Sequence, residues 1–200
     1  MTGAPTPEPS APRIPPLPPD QWSDLVREAI AALRPPGAPQ SIRRRKGGPK
    51  GLNVLGTLAQ HPVLMRAYHT FNGHILSSST LTARQRELLI LRVATVRDAT
   101  YEWEQHVVIA ADAGITDDEI ARVARGPDAP GWSTEEAALL RAVDELVSNA
   151  MVTDATWAEL TATMDTHQLM DLVFTVGAYD LLAMAFRSFG VELDADLGQP

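Results

Sequence analysis

The chain has 200 residues, with 17 basic and 25 acidic side chains, a formal net charge of -8 and no cysteine. It can therefore carry no disulfide framework, thiolate metal site or thiol nucleophile, and its acidic balance argues against the chain as a whole binding nucleic acid. No apolar run approaches the roughly 18 residues of a membrane helix, and the start lacks the apolar core of a signal peptide. A soluble, cytoplasmic protein with no membrane or nucleic-acid partner is expected.

Residues 1 to 21 are dense in proline (Pro5, Pro7, Pro9, Pro12, Pro15, Pro16, Pro18, Pro19), which forbids a helix and favours extended conformations. A flexible or surface-draped tail is expected; the sharper reading is a segment that docks on a neighbouring subunit. Asp20 or Ser23 can cap a short helix to about Leu33, stopped by Pro35-Pro36. A loop follows to residue 51, with a basic run at Arg43-Arg44-Arg45-Lys46. Such a run is usually solvated, and no aromatic side chain is interleaved with it to suggest nucleic acid. From Leu52 the pattern is helical throughout, with a short helix over 52–58 and a longer one from Pro62 to Ser77. His69 and His74 lie on the latter, too far out of register to share a face, and read as ordinary surface or interface histidines.

Thr82 caps a helix whose set Leu88, Leu89, Ile90, Leu91, Val93, Ala94 and Val96 is apolar nearly all round, so it should be central. Arg97-Asp98 makes a bend, and a second central helix runs from about Ala99 to Ala113, ended by Gly114. Thr116 and Ser133 each open a helix with a capping pattern, Thr153-Asp154 another, and Thr166 or His167 the last, closed by Gly190. No useful strand alternation appears. The expected architecture is all-α, about eight helices. Its parts are a proline-rich tail over 1–21, an N-terminal helix and basic loop over 22–51, and a helical domain over 52–200.

The second central helix carries the densest chemistry, Tyr101-Glu102-Trp103-Glu104-Gln105-His106. Glu102 and His106 are one turn apart and share a face; Ile109, Ala110 and Ala113 continue that stripe. A carboxylate and an imidazole thus occupy a row that should face inward, a conflict between pattern and polarity expected at functional sites. Read as an acid–base site, His106 is the general acid, Glu102 its orienter and Glu87 a second relay or substrate contact. Tyr101 and Trp103 flank the pocket, and Arg92 or the Arg43–Arg45 loop are the candidates for holding an acidic substrate. As a metal set, Glu102, His106 and Glu87 lack a second histidine at helical spacing, so no metal is assigned.

The run RELLILRVATVRDATYEWEQHVVIAADAGITDDEI, with the Tyr179 helix and the Phe189-Gly190-Val191 close, resembles the carboxymuconolactone decarboxylase family, which includes the alkylhydroperoxidase D-like proteins. The resemblance implies a compact all-α fold that assembles as trimers or hexamers, with a site around the central helix pair. The redox branch of that family uses Cys-x-x-Cys-x-x-x-His with a glutamate twelve residues before the first cysteine. Here the histidine falls on His106 and the glutamate on Glu87, but the cysteine positions hold Ala99 and Glu102. A thiol peroxidase needs both sulfurs, so the non-redox branch is the better match. It implies a cofactor-independent lyase, decarboxylase or isomerase acting on a small acidic lactone or enolisable metabolite. A biosynthetic tailoring enzyme on the same scaffold and a non-catalytic oligomeric binding protein are the alternatives.

Overall fold

The computed structural model describes residues 9, 11–34, 50–195 and 197. Among them lie nine α-helices: α1 (Asp24–Ala31), α2 (Leu52–Leu58), α3 (Pro62–Ser77), α4 (Ala83–Arg97), α5 (Thr100–Asp112), α6 (Asp117–Arg125), α7 (Thr134–Asn149), α8 (Asp154–Thr161) and α9 (Thr166–Phe189). No strand occurs among the described residues. The Arg43–Lys46 run and the first prolines lie outside them.

α4 is the axis of the fold, as its all-round apolar pattern requires. Leu89, Ile90 and Val93 face α7, α8 and α9 in one cluster. Leu88 and Leu91 face Ala110, Ile120, Val123 and Leu140 in a second, with Trp103, Val107 and Trp132 packed beside it. α9 has the length and composition of a membrane span, but more than half of that stretch is buried inside the protein, as in a core helix.

Helix starts follow the chemistry of their caps. The Thr82, Thr116, Ser133 and Asp165 side chains each accept from a backbone N–H three residues on, and the residue there returns the bond. Two of those return residues, Glu119 and Glu136, share one further partner. Arg84 donates to Glu119 at 2.6 Å and to Glu136 at 2.7 Å, so one guanidinium ties together the starts of α4, α6 and α7.

The segment before α2 is draped on its own chain. Arg13 N–H donates to Phe189 O at 2.8 Å, Leu17 N–H to Gly56 O at 3.0 Å, and the Gln60 amide to Pro15 O at 2.9 Å. Two glycines permit the approach: a Cβ on Gly56 would sit 2.5 Å from Leu17 O, and one on Gly73 would sit 2.6 Å from Ala32 O. α1 then buries Val26 and Ala29 against Ala59 and Met65. His69, expected at the surface, is buried instead. Its Nδ1 donates to Ala29 O at 2.9 Å, fastening α1 to α3, and burial lowers its affinity for a proton.

Arg84 generates a stability prediction. Its hydrogen bond to Glu119 is the main cause that holds that carboxyl down at about 2, below the ordinary glutamate value of about 4.3. A depressed pKa contributes stability above the unfolded value, lost as pH falls through the folded one. Arg84→Met should cost about 1 kcal/mol at neutral pH, in the range of partly exposed pairs. Urea unfolding should show the difference from wild type narrowing below about pH 4.

Candidate active site

The α4–α5 hairpin sets the site. α4 ends where Asp98 turns left-handed (φ 53°) and the Ala99 N–H reaches back to Ala94 O at 2.9 Å. This tight reversal lays α5 along α4 and places Glu87 opposite His106. Glu87 Oε2 lies 2.7 Å from His106 Nδ1, and the Arg86 Nε donates to its other oxygen at 3.3 Å. The acceptor being a carboxylate, the ring proton is assigned to Nδ1. The imidazole meets the Tyr179 ring edge-on, with centroids 5.1 Å apart and planes at 88°. His106 Nε2 has no hydrogen-bond partner among the described residues, and it is not among the atoms sealed from solvent. The nitrogen free to act is therefore Nε2.

The bond expected between Glu102 and His106 is not formed. Both Glu102 oxygens are buried without a hydrogen-bond partner, in a residue only 2% exposed. Sharing a helix face with His106 did not suffice, because the groove between α4 and α5 offers the imidazole a carboxylate from the facing helix. Burial first, and then the charge of Asp180, push the Glu102 carboxyl well above its usual range, which favours its neutral acid form. Tyr68 on α3 has a buried, unpartnered hydroxyl whose pKa is raised by burial and then by Glu102. The Tyr179 pKa is raised by burial first, then by Glu87, Tyr68 and Glu102. The sequence pattern singled out neither Tyr68 nor Tyr179 as a site residue. The signal that could have found them is a tyrosine at a core position of each of two neighbouring helices.

The proposed flanking residues lie elsewhere. Tyr101 donates to Asp194 at 2.7 Å and packs its ring against Phe186 at 5.4 Å. It lines a cavity of about 290 Å³ with Thr100, Phe186, Arg187 and Val191. Trp103 lines a second cavity of about 240 Å³ with Thr95, Asp98 and Ala99. Neither cavity includes His106 among its lining residues. Arg92 is held by Asp144 at 2.7 and 2.8 Å and by Val123 O at 3.1 Å, so its guanidinium ties α4 to α7. Among the described residues no group of three or more histidine, cysteine, aspartate or glutamate side chains is placed to hold a metal.

Residues 62–145 match the model of the carboxymuconolactone decarboxylase family. The fold is that of the AhpD-like proteins. A protein of unknown function from Agrobacterium tumefaciens, described as a candidate AhpD of antioxidant defence, superposes with a TM-score of 0.65 at 19% identity, over 69% of this chain and 95% of its own. The AhpD core of a peroxidase-related protein from Ralstonia eutropha gives 0.64 at 18%, over 72% and 78%. The debrominase Bmp8 gives 0.70 at 12%, over 92% and 93%, and its cysteine-to-alanine variant bound to 2,3,4-tribromopyrrole is also similar. No curated protein matches the sequence. Over residues 62–145 the chain is thus similar to the carboxymuconolactone decarboxylase family, on an all-α AhpD-like fold and without cysteine.

The raised Glu102 carboxyl has a signature in stability. The folded chain holds this proton more tightly than the unfolded chain, so the group lowers stability as pH rises above the unfolded glutamate value of about 4.3. Glu102→Gln should remove that decline: relative to wild type, the variant should gain stability as pH rises above about 4.3 in urea titrations.

Proposed function

We propose that the chain catalyses cofactor-independent proton-transfer chemistry, as a decarboxylase, lyase or isomerase, on a small enolisable acid or lactone. The observation that carries the reading is the buried His106–Glu87 pair at 2.7 Å with Nε2 left over. A carboxylate on Nδ1 fixes the tautomer and stabilises the imidazolium, so Nε2 can take or give a proton. Positions 99 and 102, where the redox pattern has cysteines, hold Ala99 and Glu102, so a sulfur-based peroxidase reaction is not part of the proposal. The family match supports the reaction class, and the likeness to a debrominase supports the fold alone.

The test is a panel of carboxylated lactones and enolisable acids, followed for carbon dioxide release and for C–H exchange with deuterated water. His106→Ala should abolish both while the helical spectrum is unchanged. Glu87→Gln should lower turnover by about 10²–10⁴-fold, the range of general acid–base help. Full activity in His106→Ala would remove the mechanism.

Assembly belongs to the same proposal. On α9, Met170, Phe174, Leu181 and Met184 repeat at alternating spacings of four, seven and three residues and are 49–56% exposed. Gly177 lies on the same face, where a Cβ would meet nothing. A long exposed apolar stripe of this kind marks an interaction surface; here it suits a second copy of the chain, within the trimer or hexamer that the family resemblance implies. Light scattering on Phe174→Glu with Leu181→Glu should report a smaller species than wild type. An unchanged mass would place the subunit contact elsewhere.

A non-catalytic reading is favoured by one observation, that neither cavity described above is lined by His106. It predicts no exchange with any member of the panel, and equal folding of wild type and His106→Ala.

A further inference from the structure

Around His106, three helices contribute polar side chains to one buried region: Tyr68 from α3, Glu102 from α5 and Tyr179 from α9. α3 and α9 run antiparallel there, since His74 Nε2 meets Asp171 at 2.7 Å and the Phe71 and Phe174 rings lie 6.1 Å apart. Part of this region is paired: Glu87 holds His106 and Arg86 holds Glu87. The Tyr68 hydroxyl and the two Glu102 oxygens do not. Leaving a buried polar group unpaired costs about 1–3 kcal/mol, and groups left so in a native fold mark places with another task.

An enolate intermediate needs its oxygen stabilised, and Arg92, a cation expected to hold an acidic substrate, is engaged with Asp144. Arg86 is 4% exposed and directed at Glu87. A neutral carboxylic acid and a phenol can do the work instead, because each is a donor aimed at developing negative charge in a region shielded from water. We propose that the Glu102 carboxylic acid and the Tyr68 hydroxyl form a donor pair for the oxyanion of an enolate, beside the His106 that moves the proton. This rests on the acid–base reading above and narrows it to substrates with a carbonyl next to the reacting carbon.

The step balances without an oxidant or reductant. In a decarboxylation, the bond to the carboxylate breaks, carbon dioxide leaves, and the electron pair moves onto the adjacent carbonyl oxygen, which accepts from Glu102 and Tyr68. The His106 imidazolium then delivers its Nε2 proton to carbon. In an isomerisation, neutral Nε2 takes the C–H proton, the same oxygen carries the charge, and the proton returns to a different carbon.

The probe is the nitronate of nitroethane, a small planar oxyanion of enolate shape, titrated calorimetrically into the full-length chain near neutral pH. Wild type should bind it, and Tyr68→Phe and Glu102→Ala should each weaken binding by about 10–100-fold, the loss of one hydrogen bond to a charged group. His106→Ala should retain binding while losing C–H exchange. Infrared difference spectra of wild type against Glu102→Gln should show the carbonyl band of a neutral acid. The proposal is overturned if wild type does not bind the nitronate, if both variants bind it as tightly as wild type, or if Glu102 gives a carboxylate band. In those cases, exchange that depends on His106 would leave the acid–base reading standing. Intact nitronate binding without exchange would remove that reading and keep the donor pair.

Discussion

The bond between Glu87 and His106 is the constraint on which the site depends. Both groups are buried, and taking a charge out of water costs several kcal/mol unless it is paired and hydrogen-bonded. The fold meets that condition by geometry: Glu87 stands on α4, the helix packed from every side, and the reversal at Asp98–Ala99 lays α5 where His106 can reach it. The hairpin, the capping of α4 at Thr82 and the Arg84 tie to α6 and α7 all serve to hold α4 in one register. A ring fixed this way has one nitrogen committed and one available.

The two glutamates show how environment divides identical side chains between tasks. Glu87 is bonded by an imidazole and a guanidinium. Glu102, one turn before His106 on the same helix, finds no donor, and burial first and then the Asp180 charge raise its carboxyl well above the usual range. In the cysteine pattern of the redox branch that the sequence resembles, this is the position of the second sulfur.

Much of this was legible in the sequence, because local rules and tertiary packing agree along most of the chain. The all-round apolar set of residues 88–96 announced a central helix, and the Thr116, Ser133 and Thr153 caps fixed helix starts. Glu87, Glu102 and His106 were recognisable as a group. Their pairing was not, since helical spacing gives neighbours on one helix and says nothing of what the facing helix supplies. Arg92 and Tyr101 were misplaced for the same reason: Asp144 and Asp194, their partners, are 52 and 93 residues away. The draped segment over 11–19 depends on Gly56, and the end of α1 on Gly73; their missing side chains admit another backbone, and a glycine inside a helix does not reveal what approaches it.

Which nitrogen of His106 carries the proton decides whether Nε2 can act on a substrate. Nitrogen NMR of the labelled chain, with the signal assigned by comparison with His106→Ala, reads this without a substrate. The neutral ring should be protonated on Nδ1, with the Nδ1–H signal shifted by its bond to the Glu87 carboxylate and changed in Glu87→Gln. A ring protonated on Nε2, or one that exchanges freely between the two forms as a solvated imidazole does, would contradict it.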